Sequence, residues 1–379
     1  MDFRYTDEQL ALQDTLQRWI SRDYDFERRR SLSRSERGYS SEAWAHFADL
    51  GLLALPFPEE FGGLGGNPVD LMVAMEQVGQ GLLLEPYWST VVLCGGLIRD
   101  SGPHPLQQRV LPEIAAGRMK LALAAHEEAG RYELCHVECT ATRRGAGWTL
   151  SGAKTAVLDV PSADYVVVSA RTAGGATDTD GISLFLVKRD APGLTVSEYQ
   201  TQFGGRAGDL RLESVVVDDA AVVGEVGKGF AVLQRAVDGA IAALCAESVG
   251  IVTALNQATL SYLKTRKQFG VPIGTFQALQ HRMADMYIAA EQIRSMAIVA
   301  AVSADSEDVA ERHRAIVGAK AYIGQAARFV GQQAVQLHGG MGIVEEHMVS
   351  HYFKRLTMID LTLGDADYHL ARYSDTLAA

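Results

Sequence analysis

The sequence is short of cysteine. Four in 379 residues (Cys94, Cys135, Cys139 and Cys245) do not make a disulfide framework. Only 21% of residues are charged against 47% hydrophobic, which excludes a disordered or collagen-like chain. Positive charge is in deficit: 35 Lys and Arg face 46 Asp and Glu, a formal charge of −11. Such a surface repels phosphate backbones, so general nucleic-acid binding is excluded, while one local basic pocket for an anionic cofactor stays open. No stretch reaches the roughly 20 apolar residues that span a bilayer. The opening residues MDFRYTDEQL carry acids and lack the apolar run of a signal peptide. These absences predict a reduced, cytoplasmic protein without a membrane span.

What is present changes character twice along the chain. Residues 1–118 read as a helical domain. DEQLALQDTLQRWI and LMVAMEQVGQGLLLE are amphipathic runs, PFPEEFGGLGGNP (56–68) is a Pro/Gly loop, and LPEIAAG ends in a helix-stopping glycine. Residues 119–222 alternate with period two in MKLALAAH, WTLSGAK, DYVVVSART, GISLFLVKRD and LTVSEY, predicting a compact β-barrel or sandwich domain. Residues 223–379 return to helix. Phe230, Leu233, Val237, Ile241 and Leu244 mark one buried face, and segments 276–303, 308–337 and 345–377 complete a four-helix bundle whose Ala/Gly faces allow close packing. The class is α+β.

Several motifs carry less than they suggest. FGGLGG (61–66) and GGMG (339–342) do not sit between a strand and a helix, so they are not dinucleotide loops. Cys135, His136, Cys139 and His126 lack a second ligand pair for zinc. His347 and His351 lack the HExxH order, and Glu133 with His136 is a single ExxH where a di-iron bundle needs two. No metal is expected.

Two segments are more specific. YLKTRKQFGVPIGTFQALQHRMADM (262–286) places Arg266 and Gln268 on one side of a Gly/Pro turn and Gln277 on the other. QLHGGMG (336–342) ends a helix with glycines that bare backbone N–H groups. A guanidinium, amide side chains and open backbone amides suit a pyrophosphate and an adenosine.

With RKQFG and its FQ, QLHGGMG, GLLALPFPEEFGGLGG and LPEIAAG, nearly the whole chain resembles the acyl-CoA dehydrogenase family. DFERRR, ALCAE, QAVQLHGG and HYFKRLTMID make it most similar to the small subunit of pimeloyl-CoA dehydrogenases. The resemblance implies a helical domain, a β domain and a four-helix bundle. It also implies FAD as cofactor, acyl-CoA as substrate, and an electron-transfer flavoprotein as electron acceptor. In that chemistry a carboxylate takes the α proton of the thioester while the flavin accepts the β hydride. The residues implied for FAD are Arg266, Gln268, Phe269, Gln277, Gln336, Gly339 and Gly340.

The same resemblance exposes losses. The two positions where the family carries its base fall, counted along the chain, on Leu363 and Ala240. Glu247 lies about 10 Å beyond Ala240 along a helix, and Asp365 stands where the family has a Thr facing the flavin pyrophosphate; both are weak substitutes. The family's TEPGAGSD stretch appears as HEEAGRYE (126–133), with His126 and Tyr132 replacing Thr and Ser. GxKxWITN appears as GAKTAVLD (152–159), with Ala156 for Trp and Leu158 for a hydroxyl residue. In the family's homotetramers the lost residues serve the subunit's own flavin and the kept ones reach a neighbour's. The sorting predicts a heteromer in which a larger related chain supplies base, flavin-ring pocket and thioester site. A self-sufficient homo-oligomer (dimer or tetramer) with a relocated base, and a non-catalytic CoA-ligand or assembly protein, are the alternatives.

Overall fold

The computed structural model describes residues 4–378; the first three residues and the last, included in the outer expected domains, lie outside the described residues. The N-terminal helices are α1 (Asp7–Asp23), α2 (Phe26–Arg34), α3 (Ser41–Asp49), α4 (Pro68–Gly81), α5 (Gly96–Ser101) and α6 (His104–Ala115). Thr6 starts α1 with a reciprocal capping box to Gln9, and Gly117 (φ +72°) closes the turn after α6. The Pro/Gly loop 56–68 folds tightly: a Cβ on Gly63 would lie 1.9 Å from the Phe57 carbonyl oxygen.

Eight strands follow: β1 (Leu121–Ala124), β2 (Thr140–Arg144), β3 (Gly147–Leu158), β4 (Tyr165–Arg171), β5 (Ile182–Lys188), β6 (Leu194–Gln200), β7 (Arg206–Asp218) and β8 (Val222–Val223). They form one mixed sheet in the order β6-β7-β3-β2-β4-β5-β8, with β1 parallel to β4. The expected barrel or sandwich is thus a single sheet path with β6 and β8 at its ends. Its core includes Trp148, Leu150, Val166, Val168, Phe185 and Val215. Two strands absent from the period-two reading, β2 and the 13-residue β7, supply the pairing partners of β3.

The C-terminal helices are α7 (Gly229–Thr265), α8 (Gln277–Ser303), α9 (Val309–His338), α10 (Met348–Leu361) and α11 (Ala366–Ala378); a hairpin of β9 (Lys267–Gln268) and β10 (Val271–Pro272) joins α7 to α8. Leu233, Val237, Ile241 and Leu244 are at most 3% exposed, as their spacing requires. The helix expected over 345–377 is broken at Thr362–Asp365, where Leu363 and Gly364 take positive φ. α7 corrects one expectation: it is long and apolar enough to cross a membrane by length and composition, but 89% of that window is buried, as in a core helix.

By compactness the chain forms two units. One comprises residues 1–31, 68–83 and 241–379; the other comprises 32–67 and 84–240. Within the first, glycines set the closest approach of α4 to α7. A Cβ on Gly79 would lie 2.1 Å from the Glu247 carbonyl oxygen, and one on Gly250 would lie 1.8 Å from that of Glu76. Any larger residue forces these helices apart.

Candidate functional site

The two specific segments meet at one end of the helical unit. The backbone N–H of Arg266 donates to the Tyr262 carbonyl at 2.8 Å, so the last turn of α7 runs directly into the hairpin. Gln268 pairs with Val271, and Phe269 and Gly270 form the two-residue turn with φ of +53° and +83°, the primed geometry that matches strand twist. A phenylalanine is unusual there. Phe269 is 91% exposed, with an edge-on contact to Phe276 at 6.2 Å. α8 then starts at Gln277 without a side-chain cap, leaving the positive end of the helix dipole toward solvent.

At the second segment, α9 ends where Gly339 turns the chain with φ +59° and ψ −139°. A Cβ on Gly339 or Gly340 would meet nothing within 4 Å, so this backbone is open to an approaching group. Gly342 is different, since a Cβ there would lie 2.7 Å from the Val335 carbonyl oxygen. The segments are joined by the stacked rings of Tyr262 and His338 (4.5 Å); the Arg282 guanidinium ties the first to α9 by donating to Gln333 Oε1 at 2.8 Å. Arg266, Gln268, Gln277 and Gln336 are all exposed. Among the described residues the Arg266 guanidinium has neither an ion pair nor a hydrogen bond. Beside the hairpin lies an apolar cavity of about 670 Å³ whose walls include Leu260, Leu263, Pro272, Met283, Ala284 and Tyr287.

The weak base candidates are placed quite differently. Ala240 is buried, and its carbonyl accepts the Trp88 indole N–H at 2.9 Å. Glu247 is 1% exposed and held by both oxygens: Arg355 Nε donates to Oε1 at 2.5 Å and Nη2 to Oε2 at 2.7 Å. A carboxylate so engaged is a structural anion. Leu363 sits in the turn after α10. Lys320 of α9 donates to the carbonyls of Ile359, Asp360 and Gly364, each at 2.8 Å, and His369 Nε2–H donates to that of Leu363 at 2.9 Å. Burial pushes Lys320 down to about 8 and His369 down to about 3, so the imidazole is neutral at physiological pH. Asp365 Oδ1 accepts the Tyr368 N–H at 2.9 Å and so caps α11.

In the β unit, Ala156 adopts a left-handed φ of +53°, with its N–H donating to Asp209 Oδ1 at 2.9 Å. Two residues earlier, Lys154 Nζ donates to Glu127 Oε1 (2.7 Å) and Ser169 Oγ (2.9 Å), in full burial. Among the described residues His126 Nδ1 has no hydrogen-bond partner, and burial lowers that ring's pKa. Among the described residues no three metal-ligating side chains converge; Cys139 is buried and His136 faces Glu138 at 3.3 Å. Sequence reasoning missed Lys320, Arg355 and His338. Lys320 and Arg355 make their contacts with residues distant in sequence, as His338 does through its stack on Tyr262, and only their occurrence as charged or polar residues in apolar helical faces signals them.

Residues 6–118, 122–218 and 227–377 match the N-terminal, middle and C-terminal domains of acyl-CoA dehydrogenases. The chain belongs to the acyl-CoA dehydrogenase family. Among named relatives, the acyl-CoA dehydrogenase FadE27 of Mycobacterium tuberculosis is 31% identical, over 93% of this chain and 92% of its own. Among solved structures, a variant of the Tcur3481–Tcur3483 steroid acyl-CoA dehydrogenase is 32% identical with a TM-score of 0.88, covering 98% of each chain. The ChsE4–ChsE5 complex of M. tuberculosis is 29% identical with a TM-score of 0.89, covering 100% of this chain and 99% of that one. The helical, β and helical domains expected from the sequence are those of the family.

Proposed function

We propose that this acyl-CoA dehydrogenase chain is the base-lacking small subunit of a two-chain, FAD-dependent enzyme that dehydrogenates an acyl-CoA thioester to the 2-enoyl-CoA. The observation that carries the reading is a division of the site residues. Arg266, Gln268, Phe269, Gln277 and Gln336 face solvent, and the backbone of Gly339 and Gly340 is open. The carboxylates nearest the family's base positions are otherwise engaged, Glu247 by Arg355 and Asp365 by the start of α11.

The free guanidinium, the uncapped helix start and the open glycine backbone fit the diphosphate and adenosine of FAD. The flavin ring fits this chain poorly: Ala156 offers no ring-covering side chain, and Asp365 offers a carboxylate where a diphosphate approaches. Bound FAD supplies the hydride acceptor. This chain's part is to hold the adenosine half. Arg266 would neutralise diphosphate charge, the three glutamines would donate and accept hydrogen bonds, and Phe269 would offer an apolar surface to the adenosine.

A related chain supplies the proton acceptor, the ring pocket and the thioester site, and an electron-transfer flavoprotein removes the electrons. Four unpaired cysteines suit the reducing cytoplasm. Support for a paired assembly comes from the two solved relatives whose names join two proteins, and from the apolar cavity beside the hairpin. The steroid in one of those names and the likeness to pimeloyl-CoA dehydrogenase subunits define the acyl groups to test.

Co-expression with a related chain that carries the base, followed by a flavin count, tests the reading. We expect flavin in the mixed complex, turnover on a pimeloyl-CoA or steroid side-chain CoA, and little flavin on this chain purified alone. Arg266→Ala should weaken flavin binding by about one to two orders of magnitude through loss of a charge-assisted contact. One flavin per chain with turnover in the isolated protein, or unchanged flavin affinity in Arg266→Ala, overturns it.

A further inference from the structure

His338 ends α9 immediately before the open glycines, and only 3% of it is exposed. Its Nδ1 lies 2.8 Å from the Ala334 carbonyl oxygen, which requires the proton on Nδ1 and leaves Nε2 bare. Nε2 is buried and has no hydrogen-bond partner among the described residues. One neighbour of the ring is Tyr262, stacked at 4.5 Å with 27° between planes. Another is His347 at the start of α10, at 5.1 Å. Tyr262 is also the residue whose carbonyl receives the Arg266 N–H. A continuous contact therefore runs from the glycine turn, through two rings, to the backbone that carries Arg266.

We infer that His338 is a positioning residue whose neutral ring couples the Arg266 hairpin to the 339–343 turn, so that acid loosens both together. This rests on the adenosine-holding role proposed above, which makes the coupled pair one half-site. The physical reason is the environment of Nε2. Protonating it creates a charge in an apolar stack with no acceptor to receive the new N–H. Burial and the neighbouring His347 both hold His338 below the ordinary histidine range. Tyr262 and His347 are the titratable groups that face it. His347 is itself lowered by burial, and its Nδ1 accepts the Val349 N–H at 3.3 Å.

Hydrogen exchange of the full chain, in its mixed complex, reads the coupling without any turnover. In His338→Ala, amides of 267–276 and 339–343 should lose protection together, by about three- to tenfold, as expected for loss of one ring stack. The middle of α9 should not change. Wild type should show the same joint loosening on acidification. His338→Phe, which keeps a ring but cannot titrate, should restore protection and abolish the acid response. His347→Asn, which keeps a cap for α10, should retain the acid response. Flavin affinity should fall by a similar factor in His338→Ala and recover in His338→Phe.

Loosening of 339–343 alone, or an acid response that persists in His338→Phe, overturns the inference. A wild-type complex without flavin overturns the functional reading instead, and the exchange data then still decide the coupling.

Discussion

Two regions of the same helical unit treat their polar groups in opposite ways. At 266–277 and 336–340, a guanidinium, three glutamines and an aromatic ring are displayed to solvent. At 247 and 355–369, Glu247, Arg355, Lys320, Asp365 and the Nε2 of His369 all have partners inside the chain. The first arrangement is costly only for its apolar member. Leaving Phe269 91% exposed, in a left-handed turn, forgoes about 2–3 kcal/mol of burial that a second surface can recover. The second arrangement is self-contained, since a buried carboxylate with two guanidinium bonds gains nothing from a ligand. On the proposed function, the difference separates groups kept for a partner from groups absorbed into structure.

Breaking the absorbed region should give the largest effect. Arg355→Ala leaves the Glu247 carboxyl buried without its counter-charge, and should destabilise the protein by about 3–5 kcal/mol in denaturant unfolding. Removing both charges together, as Glu247→Leu with Arg355→Leu, should return most of that stability, because the desolvation cost disappears with the charges. Glu247→Gln should leave turnover of the mixed complex nearly intact. A cost below about 1 kcal/mol for Arg355→Ala, or a turnover loss above about a thousandfold for Glu247→Gln with flavin bound, removes the contrast between the regions.

Acid should sharpen it. His369, which pins the Leu363 carbonyl, is lowered to about 3 from an unfolded value near 6.5. The unfolded chain therefore binds more protons between these values, and stability falls as pH drops below about 6.5. Burial also lowers His351, whose Nδ1 accepts from Arg29 at 2.7 Å. For His369 alone the loss should reach roughly 3 kcal/mol by pH 4. His369→Gln, which can still donate to the Leu363 carbonyl, should flatten that part of the profile. Unfolding free energies at pH 7 and pH 4 for both proteins check it; equal acid losses would place the titration elsewhere.

Periodicity made α8, α9, β4 and β5 legible, because each buries one regular face or run. β7 escaped the period-two reading: Leu210, Leu212 and Val215 are buried, but the alternation in DLRLESV (209–215) is interrupted by Ser214 at φ +57°. The break between α10 and α11 is hinted at only by Gly364. The displayed half of the candidate site was legible for a local reason: arginine, glutamine, phenylalanine and glycine cluster within short segments. The absorbed half was not, since Glu247 meets Arg355 across 108 positions and Lys320 meets Gly364 across 44. Pattern along a chain does not report which distant charges pair. Nor does it show that the compact units divide α7 near residue 240.

The smallest expected effect comes from returning a carboxylate to the absorbed region. Leu363 is half-buried, with φ +59°, in a turn fixed through backbone carbonyls by Lys320 and His369. Those bonds do not involve its side chain, so Leu363→Glu should keep the fold within about 1 kcal/mol of wild type. A positioned base contributes about 10²–10⁴-fold to a reaction whose other parts are assembled. Here they are not: Ala156 covers no ring, and Asp365 still presents a carboxylate two residues away. Leu363→Glu purified alone should therefore show no acyl-CoA-dependent dye reduction. Measurable turnover from it would mean that one missing carboxylate was the whole difference between this chain and a self-sufficient enzyme, and that the displayed half-site needs no second, related chain to complete it.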